Sequence, residues 1–150
     1  MANEEQKSLL LLFKKLQESP SYYMKQVIQK YERVTSNILV NFELTTTQIE
    51  LLSALAVLIN KRTSVSQNEL ANFVQRDKNT VSEVLRTLEK KGYISRFPDP
   101  SDKRAKSLVI TEKGLNIIEN AVNEVLTLDE QFFPVEKDRK ELIELLKQYL

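Results

Sequence analysis

The side chains best suited to specific recognition chemistry lie in one short polar segment. Its polar residues are spaced to share one face of a helix: Lys78, Asn79, Ser82, Glu83 and Arg86. Asparagine and arginine can form paired hydrogen bonds with adenine and guanine edges, and a glutamate can accept one from cytosine. These residue types therefore indicate contacts with base edges in a DNA major groove.

Two residues of this segment have alternative roles. Glu83 can accept a hydrogen bond from cytosine or can be a surface partner of Arg86 or Thr87, and the sequence allows both. Thr80, close to the start of the helix, is expected to assist capping or to contact a phosphate.

A basic segment follows, and it carries Arg96, Lys103, Arg104 and Lys106. Lys103 and Lys106 are expected to contact phosphates without sequence preference. Asp102 is expected to brace the loop, and Arg104, two residues later, can pair with it. A polar helix face beside a basic hairpin is suited to a duplex groove.

Composition excludes several classes of site. The chain has 150 residues, 41% apolar, with two glycines, no cysteine and no histidine. Disulfides, thiol catalysis, His/Cys zinc sites and histidine bases are therefore excluded. With no glycine-rich phosphate loop either, we expect no catalytic residues, no metal and no cofactor. No secretory signal or membrane-length apolar run is visible, which predicts a cytoplasmic protein without membrane contact.

Charge is distributed unevenly although the net charge is only +1. Residues 60–110 contain 11 basic and 6 acidic side chains and carry +5, whereas the remainder carries −4. A basic central module suits a polyanionic partner such as double-stranded DNA.

The central module is expected to be a helix-turn-helix followed by a hairpin. Ser66 and Glu69 form a capping box that opens a short helix, and Asp77 caps the next helix after a tight turn. Gly92 is expected to end that helix in the left-handed conformation. Strands at 93–97 and 105–110 then flank a proline-containing tip.

Amphipathic helices are expected on both sides of this module. One covers 3–17, a second restarts at Ser19-Pro20, and a third begins at the Thr45 capping box. Thr111 is expected to cap a helix with this core face: Leu115, Ile118, Val122 and Val125. The last helix carries an apolar stripe, Leu142, Leu145, Leu146 and Tyr149. One small lobe cannot cover that stripe, so we expect it to pack across a two-fold axis against first helices bearing Leu9, Leu12 and Phe13.

The predicted fold class is therefore mainly α with a small two- to three-stranded β wing. The expected organisation is N-terminal dimerisation helices at 1–43, a winged helix-turn-helix at 44–110 and C-terminal dimerisation helices at 111–150.

Two motifs resemble the MarR (multiple antibiotic resistance regulator) family. Asp102-x-Arg104 followed by Ile110-Thr111-x-x-Gly114 resembles the family's wing, and the segment 80–92 resembles its recognition helix. The resemblance implies a homodimeric transcriptional regulator that represses or activates from short inverted-repeat operators, and we expect a repressor. It also implies that Arg104 points at the minor groove or a phosphate, and that a small aromatic effector releases the DNA.

A ligand pocket would lie between the dimer helices and the DNA-binding lobe, with Tyr31, Arg33 and Arg62 as candidate lining residues. The alternatives are a constitutive DNA binder without an effector and a winged-helix protein-interaction module that does not bind DNA.

Overall fold

The computed structural model describes residues 4–61, 65–99 and 106–150. The described chain is mainly helical, with one antiparallel hairpin, as predicted. In chain order the elements are α1 (Glu4–Gln17), α2 (Pro20–Leu39), a 3₁₀ turn (Val40–Phe42), α3 (Thr46–Lys61), α4 (Gln67–Phe73), α5 (Lys78–Lys90), β1 (Ile94–Pro98), β2 (Lys106–Ile110), α6 (Glu112–Phe132) and α7 (Glu136–Lys147).

The chain divides into two compact units, Met1–Thr35 and Ser36–Leu150. The first contains α1 and most of α2. The α2 helix begins at Pro20 as predicted, and the Ser19 hydroxyl accepts a hydrogen bond from the Tyr22 amide at 3.3 Å. Six large apolar side chains of α1 are each between 53% and 60% exposed: Leu9, Leu10, Leu11, Leu12, Phe13 and Leu16.

The second unit contains the buried core. Most of its fully buried side chains come from α3, α4, α5 and the hairpin, and they include Leu51, Leu52, Leu55, Leu70, Val81, Leu85, Leu88, Ile94 and Leu108. Others are Leu39 at the end of α2, Val65 before α4 and Ala121 in α6. The inner stripe predicted for α5 is largely confirmed, with Val84 only half-buried. Burial of this stripe fixes which face of α5 remains in solvent.

Side-chain caps start α3, α4 and α6 where the local sequence predicts them. Thr45 and Gln48 exchange hydrogen bonds of 3.1 and 3.2 Å before α3. Ser66 and Glu69 form the predicted capping box of α4, and the Thr111 hydroxyl accepts from the Gly114 amide at 3.0 Å. Each cap satisfies an amide that would otherwise have no partner in the first turn.

The hairpin pairs Ile94 with Ile110 at its base and Pro98 with Lys106 near its tip. The first strand begins one residue later than predicted, because the Tyr93 amide still donates to the Leu88 carbonyl at the end of α5. A further amide, that of Leu108, donates to the Val65 carbonyl at 2.8 Å and attaches β2 to the chain before α4.

The predicted core face of α6 is wrong at one position. Leu115 is 54% exposed, whereas Gly114, Ile118 and Ala121 are buried. The helix approaches the Tyr93 carbonyl so closely at Gly114 that only a glycine fits there, and Gly114 rather than Leu115 faces the core. In α7 no residue is buried, and the helix ends at Lys147, before Tyr149 and Leu150.

Within the described ranges, no single helix combines the length and apolar character needed to cross a bilayer. One bent pair, Pro20–Phe42 with Thr46–Lys61, meets that test together, by length and composition only.

Candidate nucleic-acid interface

Helices α4 and α5 form the predicted helix-turn-helix. The turn passes through Gln75, whose φ of 52° lies in the left-handed region. Asp77 then caps α5, because its Oδ1 accepts from the Asn79 amide at 2.9 Å and the Thr80 amide at 3.0 Å. The cap fixes the first turn of α5, whose residues Lys78, Asn79 and Thr80 are exposed, and a groove-reading helix presents the side chains of this turn to the bases.

The six residues predicted to contact DNA from α5 lie on its solvent side. Lys78, Asn79, Thr80, Glu83 and Arg86 are exposed, and Ser82 is half-buried. The opposite side is closed by the buried side chains of Val81, Leu85 and Leu88. The helix therefore presents a continuous row of donors and acceptors over about two turns.

Local hydrogen bonds partly resolve the alternative roles of Glu83 and Thr80. The Thr87 hydroxyl donates to the main-chain carbonyl of Glu83 at 3.2 Å. In the described part of the chain the Glu83 carboxylate has no hydrogen-bond or ion-pair partner. Thr80 takes part in capping through its amide, and its hydroxyl is available for a phosphate.

The hairpin places Lys106 at the exposed start of β2. Asp102, Lys103 and Arg104 lie outside the described residues, so their predicted roles stay predictions. Among the described residues of the hairpin, the Ser107 hydroxyl of β2 donates to Oδ2 of Asp99, the residue after β1, at 2.8 Å.

Arg96 has a different role from the other basic residues of the hairpin. It lies in β1 with its side chain only 15% exposed, and its Nε is 3.1 Å from Glu89 Oε2. The Nε–H does not point at that oxygen, so this is an ion pair without an aligned hydrogen bond. Nη1 donates to Gln67 Oε1 at 3.4 Å. Arg96 thus connects the hairpin to α5 and α4.

A second arginine supports the turn itself. Arg76 Nε donates to Glu50 Oε2 at 2.8 Å, and its Nη2 lies 2.7 Å from the same oxygen. This ion pair joins the turn to α3. Sequence reasoning did not identify these contacts, because no local motif links Arg76 to Glu50, 26 residues away, or Arg96 to Gln67, 29 residues away.

Two of the three candidate pocket residues lie in the described part of the chain. Tyr31 is half-buried and Arg33 is exposed on α2, and Arg62 lies outside the described residues. Their role in binding a ligand stays a prediction.

Known proteins with similar sequences decide the family. The sequence profile of the MarR family matches residues 44–106. The HTH-type transcriptional regulator YdcH of Bacillus subtilis strain 168 is 36% identical over 132 residues, which cover 88% of this chain and 90% of YdcH.

The chain belongs to the MarR family.

Another relative is the HTH-type transcriptional regulator BilQ of Clostridioides difficile, which is 30% identical over 112 residues, 74% of this chain and 73% of BilQ. As a MarR-family member, the chain is a DNA-binding transcriptional regulator with a winged helix-turn-helix.

Solved MarR-family structures share the fold. The repressor CouR, bound to a 23-mer DNA duplex, superposes with a TM-score of 0.78 at 24% identity, covering 90% of this chain and 94% of CouR. A mutant MarR from E. coli, complexed with operator DNA, has a TM-score of 0.77 at 24% identity over 87% of this chain and 92% of that one. At this identity the likeness establishes the fold alone.

Proposed function

We propose that this MarR-family protein is a repressor that binds a short inverted-repeat operator as a homodimer. The observation that carries the proposal is the solvent face of α5, where side chains able to read bases are exposed together beside the hairpin. Two proteins of the same fold, CouR and a mutant MarR, have structures with bound DNA, which supports DNA as the ligand.

Within this interface the residues divide by chemistry. Asn79, Ser82, Glu83 and Arg86 are assigned to base edges, because their side chains carry directional donors and acceptors. Lys78, Thr80 and Lys106 are assigned to phosphates. In the wing, Lys103 is assigned to a phosphate and Arg104 to the minor groove or a phosphate, with Asp102 bracing the loop.

The homodimer is supported by apolar surface at both ends of the chain. The α1 side chains described above are more than half exposed, and in α7 and the residues after it Ile143, Leu145, Tyr149 and Leu150 are at least half exposed. Exposed apolar surface of this extent marks a protein contact. Residues 1–43 and 111–150 are therefore proposed as dimerisation regions that flank the DNA-binding region 44–110.

The proposed trigger is a small aromatic effector that binds between the dimer helices and the DNA-binding lobe, near Tyr31, Arg33 and Arg62. It would change the separation of the two α5 helices, and only a separation that fits successive major grooves permits tight binding.

The test is selection of binding sites from random duplexes by the purified protein, followed by titration at several salt concentrations. We expect an inverted repeat with half-sites about one helical turn, roughly 34 Å, apart. A protein-interaction module would enrich no sequence and would bind duplexes weakly at every salt concentration. A constitutive binder would enrich the repeat but retain it in the presence of aromatic carboxylates.

A further inference from the structure

The C-terminal end of α5 is held by the first turn of α6. Three successive carbonyls that follow α5 each accept a hydrogen bond from that turn. Lys91 O accepts from Lys113 Nζ at 2.8 Å, Gly92 O from the Thr111 hydroxyl at 2.6 Å, and Tyr93 O from the Thr111 amide at 3.0 Å. We call this set of contacts the α5–α6 clamp.

Lys113 makes two contacts in the clamp. Besides its bond to Lys91 O, its ammonium lies 5.0 Å from the centroid of the Tyr93 ring, in cation–π distance. A cation beside the last carbonyls of a helix also opposes the partial negative charge of that end. Lys113 therefore stabilises one particular position of the end of α5.

Gly114 lets the two segments come this close. A Cβ at this position would collide with the Tyr93 carbonyl oxygen and carbon and with the Ile110 side chain. The clamp therefore needs both the donors of Thr111 and Lys113 and the absence of a side chain one residue later.

On its other side the same end of α5 is tied to the start of α3. Lys91 Nζ donates to the Glu43 carbonyl and lies 3.5 Å from Gln48 Oε1. Gln48 is itself fixed by the Thr45 capping box. The end of α5 is thus connected to α6 through Lys113 and to α3 through Lys91.

We propose that Lys113 is a positioning residue for DNA recognition, which sets the orientation of α5 through its C-terminal end. The proposal rests on the function proposed above, in which α5 reads base edges. Base reading requires several side chains to be aligned in the groove at once, whereas phosphate contacts tolerate small rotations. Loss of the clamp therefore lowers specific affinity more than non-specific affinity.

The experiment compares Lys113→Met, which retains the apolar stem, with Lys113→Arg, which retains a donor and a cation. Lys90→Met is the matched control, because it also replaces a lysine near the C-terminal end of α5 by methionine, but one that lies outside the clamp. Within the described part of the chain, the Lys90 side chain forms no hydrogen bond or ion pair. Affinities for the selected operator and for a scrambled duplex are measured over a range of salt concentrations.

For Lys113→Met we expect operator affinity to fall about three- to tenfold, the usual net contribution of one hydrogen bond. Affinity for the scrambled duplex and the salt slope should stay unchanged, and Lys113→Arg should restore most of the loss. A parallel loss on both duplexes with a smaller slope would mean that Lys113 contacts phosphate directly, and would overturn the proposal. Unchanged operator affinity would overturn it as well.

A measurement without DNA separates this proposal from the proposed function. Hydrogen exchange at the amides of Lys91, Gly92 and Tyr93 should be faster in Lys113→Met and unchanged in Lys90→Met. If the wild type selects no operator, the proposed function fails while exchange still tests the clamp. Equal exchange in all variants would refute the clamp even if the operator is bound.

Discussion

Neighbouring residues of α5 have opposite roles, because a helix turns by about 100° per residue. Val81 and Leu85 are fully buried, whereas Asn79 and Arg86 are exposed. Changes on the solvent face should therefore alter DNA binding without altering the fold.

At the residue scale, Asn79→Ala and Arg86→Ala should each relax the preference at particular operator positions and cost about 1–3 kcal/mol in operator affinity. Lys106→Ala should weaken binding evenly across sequences and reduce the salt slope by about one. Binding-site selection with each variant provides the measurement. Identical sequence preferences for all three variants would contradict the assignment of base-reading and phosphate-contacting residues.

The two glycines should respond differently to alanine. Gly92 has a φ of 74° with open space around it, so Gly92→Ala should cost about 1 kcal/mol from backbone strain alone. At Gly114 a methyl group would meet the backbone of Tyr93, so Gly114→Ala should cost about 1–3 kcal/mol from overpacking and should loosen the clamp. Urea unfolding measures both. Equal free energies of unfolding for Gly114→Ala and the wild type would contradict the close approach of α6.

At the element scale, the helix-turn-helix contains a strained turn. Gln75 adopts a positive φ that is unfavourable for a residue with a Cβ. Gln75→Gly should therefore raise the free energy of unfolding by up to about 1 kcal/mol. The gain from relieving the backbone strain is partly offset, because glycine also gives the unfolded chain more conformational freedom. Gln75→Ala keeps the Cβ and is the control, for which no gain is expected. If both variants gain the same stability, the gain comes from loss of the glutamine side chain and not from relief of the strained backbone.

The turn is also braced at the surface by the Arg76–Glu50 ion pair. Both side chains are more than a third exposed, at 41% and 38%, so the pair contributes little to stability in solvent. The pair instead orients the turn relative to α3, because two nitrogens of the Arg76 guanidinium approach the same carboxylate oxygen of Glu50.

At the scale of the whole molecule, assembly should depend on the exposed apolar residues at the two ends. Leu145→Asp and Leu12→Asp should each weaken the dimer, since a charge placed in an apolar contact has no partner there. Gln148→Asp, at an exposed position directly after α7, adds the same single negative charge and serves as the control. Light scattering at micromolar concentration measures the assembly, and a wild-type monomer that binds a single half-site tightly would refute the dimer.

The trigger also belongs to the whole molecule. Without cysteine or histidine the chain lacks the usual thiol and zinc sensors. Zinc and mild peroxide should therefore leave operator binding unchanged, whereas salicylate-like aromatics should release the DNA. Met24 is 49% exposed, so peroxide can reach its thioether. If peroxide releases DNA from the wild type but not from Met24→Leu, the release comes from oxidation of this methionine. Reversible release by zinc from the pure protein would contradict the prediction.

Local sequence determined much of the fold and of the α5 face. The caps at Thr45, Ser66, Asp77 and Thr111 were predictable because each joins residues two or three positions apart. The inner stripe of α5 and the left-handed Gly92 were predictable for the same reason, since helical period and glycine conformation are local properties.

Tertiary structure alone decided how these elements are held. Lys113 meets Lys91 across 22 residues of sequence, Arg96 meets Gln67 across 29, and Lys91 meets Glu43 across 48. No periodic pattern encodes such pairs, because a lysine or arginine on a helical or strand surface looks the same whether it is solvated or bonded. The misassigned Leu115 has the same origin: the predicted face of α6 was correct at Ile118, Val122 and Val125. At the start of the helix, however, the contact of Gly114 with Tyr93 places Gly114 inside and leaves Leu115 in solvent.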